Sequence, residues 1–285
     1  MVSEKICREI GLQPEVIQEV QIRDRQLTEN GFYRKNRREI RMLRKRKTWS
    51  RALDLLEERI SPDENGFGIL AVMLYMLNRT KRIYRFKGIP DKIFCATMGC
   101  FPRFVKEHKA SYGVYGFDRA FWTPRQTGLY LFRIGELEYE LDDSTASPVI
   151  SIHIPSDAAL TPEKCRDSYE LSRTFLKKYY PKWSNCEYVC DSWLLAPGLK
   201  DVLPETSHII AFQNGFQIRT VNEDSDEFLE WVYKRKDIPY RDLPEETSLQ
   251  RNMKQYLLKG GKIGEASGVL RSDAWCQTMQ KQEAE

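Results

Sequence analysis

The chain has 285 residues, 41% of them hydrophobic and 30% charged, with a net charge of +4. That apolar share supports a real core and excludes wholesale disorder, and the length suits two sub-regions. The longest uncharged apolar run, Gly66 to Leu77, is too short to span a bilayer. The opening "MVSEKICREIGLQ" carries charges where a signal peptide needs an apolar stretch, so a cytoplasmic protein with no membrane association is expected.

From Glu4 to about Tyr84 the chain reads as helices. "PEVIQEVQIRD" places Val16, Ile17 and Val20 on one side, and "WSRALDLLEERI" repeats Ala52, Leu55, Leu56 and Arg59 at three- and four-residue spacing. "GFGILAVMLYMLNRT" is apolar nearly all round, the mark of a buried helix, and Ser61-Pro62-Asp63 breaks the chain just before it. Arg34 to Arg51 holds ten Lys or Arg and one Glu. Such a stripe can follow a phosphate backbone. With Ile40 and Leu43 turned inward and acidic segments offsetting it elsewhere, a solvated helix face or the rim of an anionic ligand is the favoured reading over nucleic acid.

Seven cysteines, odd in number and irregularly spaced, in a chain too large to need staples, predict reduced thiols. His108, His153 and His208 are scattered, and neither Cys95-x4-Cys100 nor Cys186-x3-Cys190 has zinc-knuckle spacing, so no metal site is expected.

After about Tyr112 the periodicity changes. "TGLYLFRIGELEYELDD" predicts two strands or one bent one, the second half placing Leu137, Tyr139 and Leu141 on one face and Glu136, Glu138 and Glu140 on the other. Val149 to Ile154 alternate in the same way: Ile150, Ile152 and Ile154 share one face, and Val149, Ser151 and His153 the other. Thr161-Pro162 then opens a helix as cap and first-turn proline. "EYVCDSWLLAP" predicts another strand, with Cys190 and Ser192 on one side and Asp191 and Trp193 on the other. Asn214-Gly215, flanked by apolar runs, predicts a tight hairpin. The tail predicts a helix, a Gly-rich break and a last short helix. "GGKIGEASG" lacks the frame and the Ser or Thr of a phosphate loop and reads as a helix C-cap and turn. The fold class is therefore mixed α/β (α+β), a helical N-terminal region packed on a mixed sheet with a closing hairpin. Residues 1–142 form the first region and 143–285 the second, the sheet running across the boundary.

The segments "FRIGELEYEL", "SIHIPSDAALTPEKCRDSYELSRTFLKKYYP", "CDSWLLAPGLKDVLPETSHIIAFQNGFQI" and "GGKIGEASGVL" resemble the two-part bacterial acyltransferase domain-containing proteins, which join an N-terminal N-acyltransferase region to a GNAT-like C-terminal domain. The resemblance implies a GNAT-like sheet in which two parallel strands, Val149 to Ile154 and Glu187 to Leu195, splay apart around the thioester of acyl-CoA or acetyl-CoA. It implies further that the pyrophosphate lies at the N-terminus of the helix from Thr161 to Tyr180, with His208 to Val221 as the closing hairpin. The residues carried over for the cofactor are Ile152, Ile154, Ser156, Leu160, Thr161, Glu163 and Lys164. One departure is visible: no glycine lies between Pro155 and Lys164, and Asp157 puts a negative charge in the loop.

The implied reaction is direct transfer of an acyl group to a small-molecule amine, which needs a base and donors for the thioester carbonyl. His153 is the candidate base, against the reading that it only locks the strand end. Glu138, the middle of three carboxylates, is the candidate to hold the amine beside it, against a plain wetted face. Ser192 is a candidate hydrogen-bonding residue. Cys190 as a covalent nucleophile is weighed against the usual inertness of strand cysteines. The alternative to an enzyme, motivated by the glycine-free loop, is a GNAT-fold small-molecule-binding or regulatory protein that has lost CoA.

Overall fold

The computed structural model describes residues 1–144, 146–234 and 236–272, and its contacts divide the chain into two units, Met1–Ile134 and Gly135–Glu285. In the first unit the helices are α1 (Glu4–Glu9), α2 (Pro14–Glu29), α3 (Phe32–Lys35), α4 (Arg37–Met42), α5 (Trp49–Ile60), α6 (Phe67–Phe86), α7 (Asp91–Met98), α8 (Cys100–Tyr112) and α9 (Pro124–Thr127), followed by the strand β1 (Leu131–Ile134). The nearly uniform apolar run becomes α6, whose Leu70, Ala71, Val72, Met73 and Leu77 are fully buried. α2, α5, α7 and α9 pack around it. Asp63, at the predicted break, caps α6 with both carboxylate oxygens, each accepting at 2.9 Å from the N–H groups of Gly68 and Ile69. Within the basic segment Ile40 and Leu43 are buried as expected, and Arg46 stacks over the rings of Trp49 and Tyr130.

The second unit contains β2 (Leu137–Asp142), β3 (Val149–His153), α10 (Pro162–Tyr179), β4 (Tyr188–Ser192), α11 (His208–Asn214), β5 (Phe216–Asn222), α12 (Glu227–Tyr233), α13 (Ser248–Leu258) and β6 (Glu265–Leu270). Its strands stand in the order β2-β3-β4-β6-β5. The β3–β4 pair is parallel, and the β2–β3, β4–β6 and β5–β6 pairs are antiparallel. Thr161 caps α10 through its side chain and Pro162 occupies the first turn, as their residue types predict. α10 lies on the Leu137-Tyr139-Leu141 face of the sheet: Ser168 Oγ is 2.8 Å from Tyr139 Oη, and Ser172 Oγ is 3.1 Å from Tyr188 Oη. A second core forms where α12 and α13 bring Phe228, Leu229, Tyr233, Met253 and Leu257 against Leu199, Val202 and Ile210.

Two expectations are corrected. Asn214-Gly215 is not a hairpin tip: Asn214 ends α11, and β5 begins at Phe216. The apolar run before it is helical because Ser207 caps it, accepting from the Ile209 N–H at 3.2 Å, and because Ile210, Phe212 and Gln213 fall on one buried side. The sheet closes instead through β5 and β6. The Gly-rich tail is a turn only as far as Gly264, since Glu265–Leu270 is β6. Beyond it, residues 273–285, where a last short helix was expected, lie outside the described residues.

Ser168 is a fully buried linchpin between α10 and β2, because it also accepts from the Leu137 N–H at 3.2 Å. Ser168→Ala removes the acceptor of the Leu137 N–H and one of the two serine partners of the Tyr139 hydroxyl, and is expected to destabilise by about 1–3 kcal/mol in denaturant unfolding. A change below about 0.5 kcal/mol would show that neither group depends on it.

Candidate functional site

The two parallel strands pair over a very short length. Ile150 lies opposite Tyr188 and Ser151 opposite Val189, and the pairing stops there. β3 continues to His153 along β2, and β4 continues to Ser192 along β6. His153 and Ser192 are thus each paired to the outer neighbour and not to one another. The β3–β4 register ends where the splay implied by the resemblance would begin.

The side-chain period of two sorts the residues at this gap onto opposite faces. Glu138 and Glu140 lie in register with His153 and Ser151 on one face, which β4 continues with Val189 and Asp191 and β6 with Ser267 and Glu265. The other face carries Tyr139, Ile152, Cys190 and Ser192, and α10 covers it. The structure therefore brings His153 and Glu138 together but leaves Ser192 on the far side, where its Oγ accepts from the Leu194 N–H at 3.1 Å.

His153 stands opposite Glu138 on the neighbouring strand, yet its bond is diagonal, Nε2 to Glu140 Oε2 at 2.9 Å. Glu138 and Glu140 are not a wetted face: they are 2% and 4% exposed. The His153 side chain keeps 25% of its surface open. The 2.9 Å bond ties one edge of the ring to this carboxylate and fixes the orientation of the imidazole. Across the gap, burial raises the Asp191 carboxyl above its ordinary range, Glu265 adds to the rise, and His153 works against it. The result is a half-open imidazole held by a buried carboxylate on an acidic sheet face.

On the other face a cavity of about 220 Å³ runs between the start of α10 and the end of α11. Leu160, Pro162, Cys165, Tyr169 and Phe212 supply apolar walls, and Arg166 and Arg271 are the charged residues. The Cys165 thiol is pushed up to about 12, chiefly by burial and further by Glu136, so it serves as a small apolar group and not as a nucleophile. Cys190 is fully buried on this same face, away from His153, and burial raises its thiol as well. Of the remaining cofactor candidates, Ile152 is buried and Leu160 lines the cavity, while Thr161 and Lys164 are engaged locally. Lys164 N–H donates to Thr161 Oγ1 at 3.4 Å, and Lys164 Nζ pairs with Glu136 Oε1 at 2.8 Å. Ile154 and Ser156 follow β3 in the loop, and Glu163 is an exposed first-turn residue of α10.

Residue patterns alone did not single out Glu140, Arg166 or Arg271. Strand alternation put Glu140 on the correct face, but choosing it over Glu138 required the twist and lean of paired strands. Arg271 enters only because β6 exists.

Comparison with known proteins gives matches over both parts of the chain. The N-acyltransferase N-terminal domain family matches residues 1–129, and the GNAT-like C-terminal domain family matches residues 131–270. No curated protein matches the sequence. Among solved structures, an acyltransferase in complex with decanoyl-CoA and teicoplanin superposes with a TM-score of 0.79 at 23% identity, over 93% of this chain and 86% of that one. A mutant acyltransferase in complex with octanoyl-CoA gives 0.80 at 22% identity over 94% and 86%, and an acyltransferase in complex with decanoyl-CoA gives 0.78 at 24% over 93% and 86%. These likenesses establish a shared fold. From end to end of its two matched parts, the chain belongs to the two-part acyltransferase proteins that join an N-acyltransferase N-terminal domain to a GNAT-like C-terminal domain.

Proposed function

We propose that the protein transfers an acyl group from acyl-CoA to an amine, by direct attack in a ternary complex. The observation that carries this reading is the short β3–β4 register, which ends before His153 and Ser192, with the His153–Glu140 pair on one face of the sheet and a cavity beside α10 on the other. The thioester threads the gap from the α10 face. The amine arrives on the acidic face, where Glu138, Glu140 and Asp191 favour a cation. The ammonium gives up one proton to water as it enters, the His153 imidazole takes the second as the neutral amine attacks the carbonyl carbon, the tetrahedral intermediate collapses, and CoA thiolate leaves toward the Ser192 side. The structural neighbours hold CoA thioesters, and one of them also holds teicoplanin, which supports a donor of this class and an acceptor of small-molecule size.

The test is thermal unfolding with acetyl-CoA, octanoyl-CoA, decanoyl-CoA and free CoA. A ligand at a hundredfold excess over Kd stabilises the native state by about 2.7 kcal/mol. For a unit of this size that raises Tm by about 5 °C or more. No shift with any CoA species at millimolar concentration would remove the acyltransferase reading in favour of a binding protein that has lost CoA.

A further inference from the structure

We infer that the polyphosphate end of acyl-CoA is gripped by two arginine side chains, Arg166 and Arg271, in place of a glycine-rich backbone loop. The inference rests on the reading above that the cavity beside α10 takes CoA.

Five backbone donors of this loop and of the start of α10 are already engaged. The Ala158 N–H donates to the Pro155 carbonyl at 2.9 Å, and the Thr161 N–H to the Ala159 carbonyl at 2.8 Å. The Lys164 N–H meets Thr161 Oγ1 at 3.4 Å, and the Cys165 N–H meets the Thr161 carbonyl at 3.0 Å. The Ala159 N–H goes to a charge supplied by the chain itself, Glu136 Oε2 at 3.0 Å, and the other oxygen of that carboxylate holds Lys164. Glu136 thus stands beside the start of α10, bonded to the Ala159 N–H and to Lys164, and an anion placed there would meet its charge.

The positive charge of the cavity comes from elsewhere. Arg166 projects from the second turn of α10, and Arg271 follows β6, where its own N–H donates to the Gly215 carbonyl at 2.9 Å and fixes the end of the strand beside α11. Both line the cavity whose remaining walls are mostly apolar. A guanidinium presents forked donors suited to phosphate oxygens, and the apolar walls suit the pantetheine arm. Two arginines from separate elements can hold a pyrophosphate without any close approach by backbone, so glycine is not needed in the loop.

Calorimetric titration with CoA and with pantetheine, which lacks the phosphates, separates the contributions. In R166Q and R271Q the affinity for CoA should fall roughly 10–100-fold each, while that for pantetheine stays within about twofold of the unsubstituted protein. Arg→Lys at either position should recover part of the loss. As a measurement that needs no variant, Kd for CoA in the unsubstituted protein should weaken steeply with added salt and Kd for pantetheine should not. CoA binding that is intact in the double variant, or equal salt dependence for the two ligands, overturns the inference and leaves the acyltransferase reading standing. Failure of the unsubstituted protein to bind CoA at all overturns both.

Discussion

His153→Ala should lower amine-dependent release of CoA thiol from acyl-CoA by about 10²–10⁴-fold, the contribution of a positioned acid–base group. The thermal stabilisation by CoA should survive the substitution, because His153 lies on the face of the sheet opposite the cavity. Glu140→Gln should lower kcat with little change in KM for the acyl donor, since Glu140 acts through the imidazole that it holds at 2.9 Å. Cys190→Ala should leave kcat within a few-fold, as its thiol is buried on the far face. If His153→Ala kept full turnover, the imidazole would be a strand-end lock and the base would lie elsewhere. If it abolished CoA stabilisation as well, the division of the site into an acyl face and an amine face would be wrong.

Gly66→Ala is expected to be the most damaging single-methyl change in the first unit. Gly66 opens α6 at φ +67°, a left-handed conformation, and a Cβ there would overlap the carbonyl oxygen of Phe117. The conformational part costs about 1–2 kcal/mol and the overpacking about 1–3 more. Together these should lower Tm by roughly 10 °C or more. Gly11→Ala is the matched control: its φ is +82°, but nothing lies within 4 Å of the added carbon. It should show the conformational part alone, about half the effect or less. Equal losses for the two variants would mean that the Asn65–Phe117 backbone contact gives way without resistance, although the Phe117 N–H donates to the Asn65 carbonyl at 2.9 Å.

What could be read from residue patterns was whatever is decided locally. Thr161-Pro162 announces α10 because capping and a fixed proline φ act within one turn, and the alternation from Val149 announces β3 because a strand shows its faces in its own sequence. The parallel splay was legible only through the resemblance, since nothing local decides which strands neighbour each other. The misreading at Asn214-Gly215 came from a short apolar run that suits helix and strand equally. There the cap at Ser207, several residues upstream, outweighed the turn dipeptide. β6 was hidden for a different reason. "EASGVL" is small and carries Gly268, whose added Cβ would press on Gln217, Phe216 and Leu195 at 3.2–3.3 Å, so tight packing removed the bulky residues that mark most strands. The pairing of Glu140 with His153 depends on register across the β2–β3 connection, a quantity that no periodicity encodes.

The strand order carries a consequence for the making of the protein. β6 is the last described strand to be synthesised, yet it sits between β4 and β5. From the emergence of Asn222 until Glu265–Leu270 arrives, a few seconds at about 5–20 residues per second, both neighbours present open edges. The nascent sheet therefore waits with its middle missing, and α12 and α13 are made during that wait. A ribosome that stalls in this interval, or a frameshift within it, leaves a chain with two unpaired edges instead of a protein shortened at its rim.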